Sequence, residues 1–306
     1  MQSNSQHILP AGIYPPLPTF FDEHEELDLA TLRRHIQRLA RSGIAGYVLM
    51  GSNGEAIHLS DEERAQVMTL ARETLNTLGS DAPIIAGCGA QSTRATIALC
   101  QQAASYGANF ALVLPPSYYR GRMDGRALIA HYRRVADVSP LPVLIYNMPA
   151  SAAGLDLDAD TICTLAEHPN IMGVKDSSGN IAKLARIVGT ALPTFRVFAG
   201  SADFLLPSLI VGAVGAVAAL ANVFPRAVCQ VQTLFEEGKL EEARILQARI
   251  IPANAAVTTV FSVAGLKAAL EHTAGYGGNP RMPLQPLTSQ ERNRLVDLLQ
   301  GVPLEE

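Results

Sequence analysis

A chain of 306 residues with 48% hydrophobic content can bury one large core, and α/β barrels reach this size as a single domain. A net charge of −4, dispersed along the chain, gives no sign of a basic surface for nucleic acid. Four cysteines without CxxC spacing exclude a disulfide scaffold and fit reduced thiols inside a cell.

The first residues, Met1 to Pro10, contain no Arg or Lys and no hydrophobic core. They read as neither a secretory signal nor a mitochondrial presequence, so a cytoplasmic location is expected. From Gly12 onward, short apolar strands alternate with amphipathic helices. The strands are expected at Gly12–Phe20, Gly46–Met50, Pro83–Ala86, Phe110–Leu114, Val143–Tyr146, Ile171–Lys175, Arg196–Ala199 and Ala213–Val217. Ser60-Asp61-Glu62-Glu63 is a capping box, and Asp28 and Asp158 have the character of N-caps. Strands apolar throughout, rather than alternating, indicate a parallel sheet covered on both faces. Eight such units predict a closed (β/α)₈ barrel, here residues 12–225 after an N-terminal tail over 1–11. Helices expected at Ala227–Glu237, Leu240–Ala253, Ser262–His272 and Ser289–Gln300 form a C-terminal appendage over 226–306. The longest apolar stretch, Phe204 to Leu220, is broken by Pro207, Gly212 and Gly215, so it suits strand and buried helix rather than a membrane span.

In such a barrel the chemistry gathers where strands end. The strand ends bring Gly51-Ser52-Asn53-Gly54-Glu55, Gly87-Cys88-Gly89-Ala90, Ser117-Tyr118-Tyr119, Tyr146-Asn147-Met148-Pro149, Lys175-Asp176-Ser177 and Gly200-Ser201 to one face. Lys175 is the first of only four lysines, the others being Lys183, Lys239 and Lys267. It ends an apolar run, where desolvation favours a neutral amine over an ammonium. A neutral amine beside a carbonyl compound forms a Schiff base. The alternatives are a lysine that snorkels from the strand end or pairs with Asp176. The turn at Ser52 offers backbone N–H groups and a hydroxyl as a nest for a carboxylate, or is simply a tight turn. Tyr146, one strand from Lys175, is either a proton shuttle or a core aromatic. Arg120 and Arg122 are candidates to neutralise a second substrate carboxylate, or are solvated loop arginines.

Two other chemistries fit poorly. Gly87-Cys88-Gly89 begins like a dinucleotide fingerprint but lacks the third glycine and the ribose-binding acid. The seven histidines, His7, His24, His35, His58, His131, His168 and His272, are scattered, so no metal is expected.

GSNGE (51–55), YYRGRM (118–123), YNMP (146–149) and GVKDS (173–177), in this order, resemble the pyruvate-dependent Schiff-base aldolases. These are the dihydrodipicolinate synthase and N-acetylneuraminate lyase family, and the resemblance runs from Gly12 to Leu287. Gly12 to Pro16, Tyr118 to Met123, His168 to Ile171 and Pro252 to Thr258 are most similar to the family's 4-hydroxy-2-oxoglutarate aldolase branch, and Ala86 to Thr93 also resembles fungal 2-keto-3-deoxy-L-galactonate aldolases.

The resemblance implies Lys175 as the imine-forming lysine, Tyr146 as the proton shuttle and Tyr118 as a second, proton-relaying tyrosine. It implies Ser52 and Asn53 as holders of the substrate 1-carboxylate, with Ser177 and Gly200 lining the pocket. No cofactor beyond the covalent imine is implied, and the family's usual assembly is a homotetramer. One departure stands out: dihydrodipicolinate synthases carry an arginine just after YNxP, whereas Pro149 to Gly154 contains none. Lysine-pathway synthesis is therefore disfavoured. The expected activity is class I cleavage of 4-hydroxy-2-oxoglutarate to pyruvate and glyoxylate, with a 2-keto-3-deoxy sugar acid as the alternative substrate. A barrel that binds a 2-oxo acid as regulator, without turnover, is the reading of a different class. The expected partner is a small 2-oxo acid, with neither nucleic acid nor membrane.

Overall fold

In the computed structural model, residues 8–302 are described; the start of the expected N-terminal tail and the last four residues of the appendage lie outside them. Eight strands form one parallel sheet: β1 Gly12–Tyr14, β2 Tyr47–Leu49, β3 Ile84–Gly87, β4 Phe110–Val113, β5 Val143–Asn147, β6 Ile171–Asp176, β7 Arg196–Ala199 and β8 Gly215–Val217. From β2 to β8 each pairs with its sequence neighbour, and β8 pairs with β1. The seam between β1 and β2 is closed by two backbone bonds, Leu17 N–H to the Val48 carbonyl at 2.8 Å and Val48 N–H to the Pro15 carbonyl at 3.1 Å. This is a (β/α)₈ barrel, as expected.

The first strand is shorter than expected. Pro15, Pro16 and Pro18 offer no backbone donor, so the ladder stops at Tyr14 and only a bridge between Pro16 and Val48 continues it. The apolar stretch from Phe204 divides into a helix, α7 (Leu205–Ile210), and β8, which matches the strand-and-helix reading. The other barrel helices are α1 Leu29–Leu39, α2 Asp61–Thr77, α3 Thr93–Ser105, α4 Gly125–Val138, α5 Ala159–Ala166, α6 Ile181–Thr190 and α8 Pro225–Glu236. Asp28 caps α1, Ser60 and Glu63 form the reciprocal box on α2, and Asp158 caps α5, each satisfying an otherwise orphaned N–H.

Side chains alternate across the sheet. Tyr14, Val48, Ile85, Leu112, Leu144, Phe198 and Val217 fill the inside of the barrel, while a larger apolar layer lies between strands and helices. α8 packs against β1 and α7 as well as against the following helix. The remaining helices, α9 Leu240–Ala255, α10 Ser262–Ala274 and α11 Ser289–Leu299, follow it. They brace the ends of the strands: Gln247 on α9 donates to the Ala202 carbonyl at 2.9 Å and accepts from Leu206 N–H at 2.8 Å, and Asn254 donates to Ser201 Oγ at 3.0 Å. The loops after β7 are thereby tied to the appendage.

Candidate active site

Parallel pairing of β5 and β6 sets Tyr146 beside Lys175, and Asn147 beside Asp176. Successive residues of a strand point to opposite faces, so Tyr146 and Lys175 share one face and Asn147 and Asp176 the other. Lys175 Nζ lies 3.9 Å from the centre of the Tyr146 ring, and both residues are buried. Among the described residues, no carboxylate or hydrogen-bond acceptor pairs with Lys175 Nζ.

The other three lysines are all ion-paired. Lys183 Nζ sits 2.6 Å from Asp156 and 2.8 Å from Asp176, Lys239 pairs with Glu237 at 2.9 Å, and Lys267 pairs with Glu55 at 2.7 Å. The pairing of Lys175 with Asp176, the alternative raised by the sequence, does not occur, because the alternation of β6 turns Asp176 outward towards Lys183 on α6. Around Asp176 a buried network closes: Asn147 Nδ2 donates to Asp176 at 2.9 Å and to Asp156 at 2.6 Å, Asn147 Oδ1 accepts from Leu157 N–H at 2.9 Å, and Ser178 donates its N–H and hydroxyl to Asp176. This network clamps the ends of β5 and β6 together directly behind Tyr146 and Lys175. It was missed in the sequence, where the only signal was a polar residue immediately after each of the two site residues.

Ser52 brings a hydroxyl chain to the same mouth. Its Oγ is 3.4 Å from the Tyr146 hydroxyl and 3.4 Å from Ser151 Oγ, in the loop after β5. Asn53, half-buried, shares with Ser52 the 3₁₀ turn Ser52–Gly54. Within this turn, Gly54 and Glu55 N–H bond back to Gly51 and Ser52 carbonyls, so the N–H groups of Ser52 and Asn53 are those a carboxylate nest would use. The turn is held in place from behind by Glu55, whose backbone is left-handed at φ 50°. Its buried carboxylate takes Lys267 at 2.7 Å and the Arg281 backbone N–H at 2.9 Å, so partners from α10 and the segment after it offset the strain. Burial pushes the Lys267 ammonium down from its ordinary range, and Glu55 opposes that.

Ser177 and Gly200 meet at the ends of β6 and β7, where Ser177 Oγ lies 3.4 Å from the Gly200 carbonyl. A Cβ on Gly200 would stand 1.9 Å from Ser177 Oγ, which only glycine avoids. Tyr118 is placed differently from the rest. It lies 79% exposed in the loop after β4, its ring edge-on to Tyr119 at 5.1 Å, and it does not contact Lys175 or Tyr146 within this chain. Arg120 in the same loop reaches the Gly154 carbonyl at 3.4 Å, beside the segment that lacks an arginine. Among the described residues, no group of three or more His, Cys, Asp or Glu side chains is arranged to hold a metal ion. The buried histidines serve packing. His35 accepts from the Tyr276 hydroxyl at 2.9 Å and donates to Asn222 Oδ1 at 3.0 Å, and burial pushes its imidazole down to about 3.

An unpaired buried amine, a tyrosine and a serine at the open end of such a barrel fit a carbon–carbon lyase of the aldolase kind. The chain belongs to the Dihydrodipicolinate synthetase family, whose model matches residues 9–302. It is 47% identical over 287 residues to the probable mitochondrial 4-hydroxy-2-oxoglutarate aldolase of Emericella nidulans, covering 94% of this chain and 93% of that protein. It is 40% identical over 304 residues to the L-threo-3-deoxy-hexylosonate aldolase of Hypocrea jecorina, covering 96% and 95%. Among solved structures, a dihydrodipicolinate synthase family protein from Coccidioides immitis superposes with a TM-score of 0.84 at 38% identity, covering 96% of each chain. Both of these curated relatives are named as aldolases, and the chain is an enzyme, a carbon–carbon lyase. Among the described residues, no helix is long and apolar enough to cross a membrane.

Proposed function

We propose that this lyase works through a Schiff base on Lys175, cleaving 4-hydroxy-2-oxoglutarate to pyruvate and glyoxylate. The observation that carries the reading is the contrast among the lysines: Lys175 is buried at the mouth without a carboxylate, while every other lysine has one. An amine not held as an ammonium by a carboxylate is the one free to attack a carbonyl carbon.

Lys175 Nζ adds to the C2 ketone, and loss of water gives an iminium. Tyr146, whose hydroxyl gives its proton to the water lost in that dehydration, takes the C4 hydroxyl proton as the C3–C4 bond breaks. Its electron pair passes to the iminium, glyoxylate leaves, and an enamine of pyruvate remains. Protonation of the enamine at C3, followed by addition of water to the imine, releases pyruvate and the free amine. Ser52, in contact with the Tyr146 hydroxyl, would relay the proton and, with the N–H groups of Ser52 and Asn53, hold the 1-carboxylate. Ser177 and Gly200 would line the pocket. No metal or organic cofactor enters this scheme, so excess EDTA is expected to leave the rate unchanged; a loss restored by a divalent ion would replace the imine with a metal-bound enolate.

For the far carboxylate of the substrate, Arg120 supports the reading, since its guanidinium lies over the loop after β5. A 2-keto-3-deoxy sugar acid is the second candidate. It is favoured by the hydroxyls of Ser52, Ser151 and Tyr146, which suit a polyol, and by the Hypocrea jecorina relative. Pyruvate release measured side by side on 4-hydroxy-2-oxoglutarate and 2-keto-3-deoxy-L-galactonate decides between them. In the same assay, pyruvate with aspartate semialdehyde is expected to condense weakly; efficient cyclic product would return dihydrodipicolinate synthesis to first place.

A homotetramer is also proposed. The exposed Tyr118 and Tyr119 pair supports it by offering aromatic surface to a second copy, which is also how Tyr118 would come to take part in proton relay. Light scattering of the full chain tests the assembly. The cytoplasmic location expected from the sequence stands as a proposal, to be checked by cell fractionation against the mitochondrial place in the name of the Emericella nidulans relative.

A further inference from the structure

A concavity that shares no lining residue with the lysine mouth lies between α1, the start of α8 and the end of α10. It is half-open, encloses ≈650 Å³, and is lined by Arg34, Arg38, Arg41 and Arg226. Arg34 and Arg38 stand one turn apart on one face of α1, and Arg41 follows in the turn just past the helix end. Arg226 faces them from the first turn of α8. Among the described residues, no Asp or Glu lines the concavity. Among the described residues, no carboxylate pairs with Arg34, Arg38 or Arg41, although the chain pairs Arg186, Arg244, Arg281 and Arg292 with acids elsewhere. Arg34 and Arg38, like charges one turn apart, disfavour the helix, and Arg41 beside them adds to that repulsion.

Two of the arginines are fixed in position. Arg34 stacks over the Tyr276 ring at 4.7 Å, and Arg38 donates to the Tyr276 hydroxyl at 2.9 Å and to the Asn222 carbonyl. Tyr276 in turn donates to His35, His35 to Asn222, and Asn222 Nδ2 to the Pro16 carbonyl at 2.9 Å. This relay holds two guanidiniums against the cavity wall with low conformational freedom. Arg41, by contrast, makes no side-chain hydrogen bond or ion pair among the described residues. Rigid guanidiniums recognise phosphate and carboxylate in two-pronged fashion, and the cavity volume is that of a small-molecule site.

We propose that this cavity binds a compact oxyanion ligand carrying two or more negative charges on phosphate or carboxylate groups. Nothing in the lyase reading requires such a site, and none of its residues lies at the lysine mouth.

Calorimetric titration of the full chain at low salt tests it, with inorganic pyrophosphate in one arm and citrate in the other. At least one of the two is expected to bind saturably at one site per chain and to weaken as salt is raised. Tighter pyrophosphate identifies a phosphate ligand, and tighter citrate a carboxylate ligand. Arg41→Ala should weaken binding roughly fivefold or more while leaving the melting temperature of the free chain unchanged, because it removes one charge-assisted contact and no packing. Arg244→Ala, an exposed arginine paired with Glu241 on α9, should bind like the parent chain. Lys175→Ala should also bind like the parent, which separates this cavity from the lysine mouth. The proposal is overturned if neither anion binds saturably, if Arg41→Ala binds as the parent does, or if Arg244→Ala or Lys175→Ala weakens binding as much as Arg41→Ala. It is equally overturned if neither anion binds and Arg41→Ala dissociates the oligomer, which would assign the arginines to a protein partner.

Discussion

Lys175 and Lys267 occupy similar surroundings by most measures. Both are buried, both reach from a regular element, and both hold Nζ over an aromatic ring, Lys175 over Tyr146 at 3.9 Å and Lys267 over Phe21 at 4.4 Å. They differ in their polar partners. Lys267 meets the Glu55 carboxylate at 2.7 Å and the Asn279 carbonyl at 2.9 Å, whereas Lys175 meets neither kind of group. A buried carboxylate stabilises the ammonium and ties Lys267 to the turn before α2, which makes it a brace. Lys175, without those partners, is the lysine proposed to act as the nucleophile. Burial of a lysine therefore does not by itself mark chemistry; burial without a counter-charge does.

The comparison is most severely tested by exchanging the two roles. Lys175→Ala is expected to abolish turnover while the chain still unfolds cooperatively near the parent midpoint, because no ion pair is broken. A variant that keeps measurable cleavage would remove Lys175 from the centre of the account. Tyr146→Phe keeps the ring beneath the amine and deletes the hydroxyl that meets Ser52. Cleavage should fall by roughly 10² to 10⁴ with the fold intact. Near-parent turnover would make Tyr146 a packing residue and move the shuttle to Tyr118.

Lys267→Ala leaves Glu55 buried and uncompensated, and should cost about 3–5 kcal/mol in urea unfolding. Its effect on the lysine chemistry should be indirect, through the loosened turn that carries Ser52 and Asn53, and so should appear in KM more than in adduct formation. Stability near the parent value would show that Glu55 and Lys267 are not a brace. A smaller effect is expected with pH. Burial holds His35 down to about 3 and His131 down to about 4, against an ordinary 6.5. As pH falls from 6.5 towards 3, the unfolded chain binds protons that the folded chain refuses, so stability falls; above 6.5 these groups add no slope. Urea midpoints at several pH values check this, and His35→Gln should flatten the profile. An unchanged slope in that variant would place the acid sensitivity elsewhere.

The barrel was legible because its signals are local. Apolar runs, the Ser60 capping box and the Asp28 and Asp158 caps each lie within a few residues of the element they define. The error at β1 came from three prolines inside an apolar run, which end a ladder without ending the extended chain. At the site, strand ends placed Lys175, Tyr146 and Ser52 at one mouth, since strand order alone decides which ends meet. Partner choice was not legible. Asp176 follows Lys175 directly and looks like its counter-ion, yet the alternation of β6 turns it to Lys183. Glu55 and Lys267 lie far apart in sequence, and nothing near either announces the pair. Tyr118 shows the same boundary, since its place at the site depends on what covers an exposed loop.

The central claim is that Lys175 alone has an amine free to react, and borohydride reduction in the presence of pyruvate tests it most directly. Mass analysis of the intact chain should show one reduced pyruvate adduct, and peptide mapping should place it on Lys175, with no adduct in Lys175→Ala. An adduct on Lys183, Lys239 or Lys267, or none at all under conditions of turnover, would contradict the account.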